Sequence, residues 1–239
     1  MRLTPADMAE DLRKRRAVSV GLRRTVMIGD DPKKALATAA WFRADELAAG
    51  VGRLASARPP CAEAIGVLGR SLWEGAVRIQ YVAADPNARL LQMRNHALRE
   101  EAKILNGEWA KGAKSQIDPR YWEFQNEAKA EPDKDRLPPL VNMARSLGVE
   151  GQYDMIYRLE SSGAHWGLTA VGEHAKFHRS GQFVVSARGQ HRLPQVMALA
   201  ASTYAVIVAH CAELAGLSPL RLERLRTKLS AAMGRLRKT

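Results

Sequence analysis

Apolar residues recur at helical spacing along most of the chain, and Pro, Gly and acidic residues divide it into helix-sized lengths. Thr4-Pro5 opens a first helix through the basic run Arg13-Lys14-Arg15-Arg16, and Asp31-Pro32 caps and starts a second reaching about Ala49. Pro59-Pro60 precedes a third, Cys61 to Ala84, whose apolar side carries Ile65, Leu68, Leu72, Trp73, Ala76, Ile79 and Val82. Asp85-Pro86 starts a fourth, expected to reach about Lys111. A polar stretch from Lys111 to Leu137 reads as a loop with a short helix. Pro138-Pro139 then opens a short helix ending near Gly148, and another helix follows at once around Arg158. The pattern changes after His165, where a Ser180-Gly181 turn lies between Phe177 and Phe183-Val184-Val185 and predicts a short β-hairpin. Two helices close the chain, from Leu193 to Ala215 and from Ser218-Pro219 onward. In the last, Leu222, Leu225, Leu229, Ala232 and Leu236 form an apolar stripe able to dock on the bundle or on a second copy. The expected class is all-α: a helical bundle with a short β-hairpin insertion near residues 169–187.

Charge divides the 239 residues differently. Residues 1 to 24 hold seven basic and three acidic side chains, residues 219 to 239 hold seven and one, and the whole chain carries +12, leaving the middle nearly neutral. The expected organisation is a basic N-terminal extension over 1–30, a bundle domain over 31–217 and a basic C-terminal helix over 218–239. Basic ends of this kind suit a polyanion such as RNA, with Arg13, Lys14, Arg15, Arg16, Arg221, Arg224, Arg226 and Lys228 as the contacts. Charge retained for solubility is the alternative. Cys61 and Cys211 lie in apolar helical stretches, with no disulfide framework or metal-ligand spacing, and read as core residues of a cytoplasmic protein. The N-terminus lacks the apolar run of a secretory signal. Leu193 to Ala212 is free of formal charge but contains Pro194, Gln195, Ser202, Thr203 and His210, and reads as a buried helix rather than a membrane span.

Candidate chemistry concentrates in the segment from Gln152 to His165. Arg158 and His165 are seven residues apart, so on a helix they return to nearly the same azimuth, with Ser161 and Ser162 between them. Arg offers a planar donor fork to a phosphate and His moves a proton near neutral pH, a pairing suited to phosphodiester chemistry without a metal or cofactor. A salt-bridged arginine and a helix-ending histidine would give the same spacing. Arg89 and His96 repeat it within a charged helix that reads as a solvated face. On the third helix Arg70, Glu74 and Arg78 follow at four-residue steps. Pointing inward, this ladder would orient Arg158 or His165; pointing outward, it is a surface salt-bridge row. His174, His178 and His191 lie in a loop or strand crowded by Lys176 and Arg179, an unsuitable metal site. Phosphate-binding loops, dinucleotide fingerprints and nucleophile elbows are absent, which argues against nucleotide-hydrolysing and hydride-transfer enzymes.

Arg158, six intervening residues and His165, on a late helix of an all-helical chain, resemble the HEPN superfamily (higher eukaryotes and prokaryotes nucleotide-binding domain). With Arg70-Ser-Leu-Trp-Glu74 upstream, the likeness extends over about residues 35 to 215 and is nearest to an uncharacterised bacterial family of helical domains. The resemblance implies a metal-independent endoribonuclease, a toxin or antiphage effector, acting as a homodimer and in some systems paired with a partner protein, as in toxin-antitoxin modules. It implies that Arg158 holds the scissile phosphate and that His165 is general base or acid, with Ser161, Ser162, Glu74, Arg70 and Tyr157 in support. Leu159 departs from the superfamily, which usually places a polar residue directly after the Arg, and Gly167 stands where a toxin variant has Tyr. Some members have lost catalysis, so a non-catalytic module binding nucleic acid or a partner protein through its basic ends is the alternative.

Overall fold

The computed structural model describes residues 4–26, 29–58, 60–105, 136–157, 175–177, 180, 183–185 and 193–231. Helices dominate, and the local signals explain where they begin. Helix α1 (Pro5–Arg23) opens on a capping box. Thr4 Oγ1 accepts from the Asp7 amide at 3.2 Å, and the Asp7 carboxylate accepts from the Thr4 amide at 2.9 Å. Helix α2 (Pro32–Ser56) starts behind Asp31, whose Oδ1 accepts from the Lys33 amide at 2.9 Å. It runs a further seven residues beyond the expected end at Ala49. Val51 and Ala55 are buried on that extension, and at Gly50 an added Cβ would come within 2.9 Å of Leu68 Cδ1. Gly50 therefore serves close helix packing instead of ending the helix.

Helix α3 (Ala62–Ala84) is followed by α4 (Pro86–Leu105) and α5 (Leu140–Ser146). Gly148, with φ of 70°, supplies the left-handed residue after α5. One helical turn over Glu150–Gln152 passes into a π-helical turn over Tyr153–Tyr157. Ala175–Phe177 (β1) and Phe183–Val185 (β2) pair antiparallel, with Phe177 opposite Phe183. Helices α6 (Leu193–Leu214) and α7 (Pro219–Ala231) complete the described chain.

Helix α6 is the centre of the bundle. It packs against α1, α2, α3 and α7, while α4 and α5 lie on α3. Its length and composition alone would allow it to cross a membrane, but Met197, Tyr204, Val208 and Cys211 are buried among the other helices. The main core gathers Leu12, Trp41, Ile65, Leu72, Ile79, Tyr204, Leu225 and Leu229. A second core on another side of α3 gathers Trp73, Val77, Tyr81, Leu137, Met143 and Ile156. Leu12 belongs to α1 and Leu225 and Leu229 to α7, so both of these basic helices are packed on the body. Helix α1 is in this respect part of the bundle and not an extension of it. Cys61 corrects a core assignment: it is exposed, one residue ahead of α3, whereas Cys211 is buried.

Candidate functional site

Helix α3 is apolar on two sides, and its Arg70, Glu74 and Arg78 ladder runs beside the Trp73, Val77 and Tyr81 row. Arg70 Nε donates to Glu74 Oε1 at 2.9 Å, and the two side chains retain only 18% and 28% of their exposure. Neither is a free surface charge nor a sealed core residue. Arg78 is half-buried, and its Nε has no hydrogen-bond partner among the described residues. Glu74 and Arg78, with Arg43 and Ser71, form the polar side of a cavity of about 370 Å³, and Leu47, Ile79, Met93 and Ile207 form its apolar side. A cavity that sets two guanidinium groups and one carboxylate against an apolar wall offers donors and an acceptor to a polar ligand with an apolar part.

The segment that precedes Arg158 packs on the other side of the ladder from this cavity, against the Trp73, Val77 and Tyr81 face of α3. Ile156 is buried in the core of Trp73, Val77 and Tyr81, and the Tyr153 ring lies 6.0 Å from the Trp73 ring, tilted by 48°. The last turn before Arg158 is π-helical, ending at Tyr157. Such turns are rare and recur at functional sites, because the extra residue redirects the side chains that follow. Nothing in the apolar periodicity signals this turn. Arg158, Ser161, Ser162 and His165 lie outside the described residues, as do the Tyr157 side chain and His174, His178 and His191.

The basic residues divide by environment. Arg13 is exposed and donates to Glu10 at 2.6 Å, holding the Glu10 carboxyl below its usual range, with Lys14 3.7 Å from the same carboxylate. Arg15 corrects its assignment as a nucleic-acid contact: it is only 3% exposed and donates through Nε to Asp11 at 2.9 Å. It sits on the same face of α1 as Leu12 and Ser19 and is turned into the bundle. Arg16 is half-buried, and its Nε has no partner among the described residues. On α7, Arg221, Arg224 and Lys228 are exposed, and Arg226 lies 3.6 Å from Glu213.

The best-satisfied polar cluster joins α1, α2 and α6 around Asp45, which sequence reading missed because its partners are remote in the chain. Asp45 Oδ1 accepts from Tyr204 at 2.5 Å and from Ser19 at 3.3 Å, and Oδ2 accepts from Arg23. Ser19 in turn accepts from Trp41 Nε1 at 2.5 Å. Burial first, and the nearby Asp45 carboxylate second, push the Tyr204 hydroxyl well above its ordinary range, so it donates as a neutral phenol. The same two influences push up the Cys211 thiol, which keeps its proton and is no nucleophile. The Asp45 cluster is thus a structural tie.

No curated protein and no solved structure matches the chain. A family model does match, over residues 35–183, a span that includes the α3 ladder and the segment from Arg158 to His165. The matched span is more than half of the 239 residues, and the chain belongs to the family of unknown function DUF5677.

Proposed function

We propose that this protein is a metal-independent, HEPN-like endoribonuclease. The observation that carries the reading is the docking of the turn before Arg158 onto α3: Tyr153 meets Trp73 and Ile156 is buried with Val77, beside the half-buried Arg70–Glu74 pair. The chain leading into the Arg-His motif is therefore anchored next to a partly buried charged ladder, the arrangement that second-rank positioning groups need.

In this mechanism the Arg158 guanidinium binds the non-bridging oxygens of the scissile phosphate and offsets the charge that develops on them. His165 removes the proton from the ribose 2′-hydroxyl as its oxygen attacks phosphorus, and the bond to the 5′-oxygen breaks. That oxygen leaves with a proton supplied by an imidazolium or by water. The products are a 2′,3′-cyclic phosphate and a 5′-hydroxyl. Ser161, Ser162 and Tyr157 contribute hydrogen bonds, and Arg70 and Glu74 orient the reacting pair. The reading includes a homodimer whose two Arg-His pairs share a cleft, a cytoplasmic location and a role as a toxin or antiphage effector, with a partner protein that restrains it.

A second reading, a non-catalytic module that binds nucleic acid, is favoured by the exposed Arg221, Arg224 and Lys228 on α7. One experiment separates the two. Purified protein is incubated with a mixed RNA pool in EDTA, with Arg158→Ala and His165→Ala in parallel, and the product ends are identified. Cyclic-phosphate ends produced by the wild type and absent from both variants support the nuclease. Intact RNA in every lane removes it in favour of the binding module.

A further inference from the structure

Helix α1 and the C-terminal half of α2 enclose a groove of about 670 Å³ whose character differs from that of the α3 cavity. Its walls carry Arg16, Arg53 and the Arg13–Glu10 pair, in which Arg13 donates through Nε and one Nη at 2.6 Å each and keeps its remaining donors, and its floor is Ala9, Ala48, Ala49 and Gly52. The Arg16 Nε has no partner among the described residues. Arg53 spends one donor on the Ala49 carbonyl at a long 3.4 Å and has no carboxylate partner among the described residues. A buried guanidinium donor without an acceptor costs free energy unless an anion or water takes it. Small residues beneath three arginines let that anion come close to the helix backbones.

The dimensions say which anion. Ala6 to Arg16 on α1 covers about 15 Å at 1.5 Å per residue, and the groove runs between two helices packed on each other, whose axes stand about 8–10 Å apart. A single strand can lie along such a groove, whereas an A-form RNA duplex, two strands wide and stiff, meets its rim and not its floor. Arg13 and Arg16 stand three residues apart on one wall, about 4.5 Å along the axis, and Arg53 stands on the other. None of the described lining residues is aromatic, so the channel has donors for phosphates and nothing on which bases would stack.

We infer that the α1–α2 groove holds the phosphodiester backbone of single-stranded RNA, gripped by Arg13, Arg16 and Arg53 without regard to base sequence. The inference rests on the RNA reading proposed above, though not on cleavage. It also replaces the N-terminal basic run as a whole with a defined site, from which Arg15 is excluded and to which Arg53 is added.

Gly52 supplies the decisive variant, because a Cβ there meets no heavy atom within 4 Å. Gly52→Leu would fill the groove without altering charge, and exchanging an interior helical glycine for leucine favours the helix. Binding of a fluorescent single-stranded 2′-O-methyl RNA, which keeps the phosphates and lacks the attacking hydroxyl, is followed by anisotropy across a salt series with the full-length protein. The expected result is an affinity loss on the order of tenfold or more for Gly52→Leu with an unchanged or higher Tm. Arg53→Gln and Arg16→Gln should each flatten the dependence of log K on log salt by about 0.7, and Arg53→Lys should restore it. Arg24→Gln, exposed and outside the groove, should leave the slope unchanged. Wild-type affinity in Gly52→Leu, an equal effect of Arg24→Gln, or duplex RNA binding as tightly as single strands overturns the inference. Binding that depends on the groove in a protein that leaves unmodified RNA intact overturns only the nuclease reading; cleavage that survives in Gly52→Leu with unchanged affinity overturns only the groove.

Discussion

The charged cluster around Asp45 and the ladder along α3 are finished to different degrees. Around Asp45 the visible donors and acceptors are matched: Tyr204, Ser19 and Arg23 donate to the carboxylate, and Ser19 accepts from Trp41. Along α3, Glu74 accepts from Arg70 while Arg78 Nε has no partner among the described residues and the side chain lines a cavity. A saturated buried cluster fixes the positions of three helices and has no capacity left for a ligand. An unsaturated one bordering open space contributes less to stability and keeps donors for something that arrives from outside. Arg16, in the α1–α2 groove, belongs with the second kind.

The sharpest way to break this contrast is to remove its buried centre. Asp45→Ala would leave the Arg23 guanidinium and the Tyr204 and Ser19 hydroxyls without their acceptor, and chemical denaturation should report a loss of about 3–5 kcal/mol. A loss below about 1 kcal/mol would show that the cluster is not a tie between α1, α2 and α6. An exposed but satisfied contact should fall in between. Thr4→Ala removes the α1 capping box and should cost about 1 kcal/mol by the same measurement. Arg78→Leu should be the mildest of the three, within about 0.5 kcal/mol of wild type, since it discards an unpartnered donor and extends an apolar wall. A loss comparable to that of Asp45→Ala would place Arg78 in a saturated network instead.

The smallest effect concerns pH. Burial lowers the His210 pKa below its ordinary 6.5 against an opposing pull from Glu213, and the Arg226 guanidinium adds a smaller lowering. The unfolded chain therefore takes up a proton at a higher pH than the folded one. His210 imposes no penalty above pH 6.5, and stability falls as pH drops from there through the folded pKa. His210→Gln should flatten the denaturation midpoint between pH 7 and 5.5 relative to wild type, and an identical slope in both proteins would remove the assignment.

Helix starts were legible because they depend on neighbours in sequence: Thr4 with Asp7, Asp31 with Pro32, and the proline pairs before α3 and α5. The apolar stripe of α7 also has a simple outcome, with Leu225 and Leu229 buried in the main core. What escaped depends on distance along the chain. Asp45 reads as one more polar residue on a helix until Tyr204, 159 positions away, comes to lie against it. Arg15 and Arg16 are indistinguishable in a run of four basic residues, yet the 100° between successive helical positions sends one into the bundle and leaves the other in a groove. The π-helical turn before Arg158 is likewise invisible to a 3.6-residue pattern.

The most direct measurement is the initial rate of RNA cleavage in EDTA by wild type and His165→Ala, with the Tm of each recorded on the same preparations. The proposed chemistry predicts a fall of about a hundredfold or more with an unchanged Tm, as expected when a proton-transfer group is removed from a folded enzyme. Equal rates, or a fall that merely follows a lowered Tm, would contradict it.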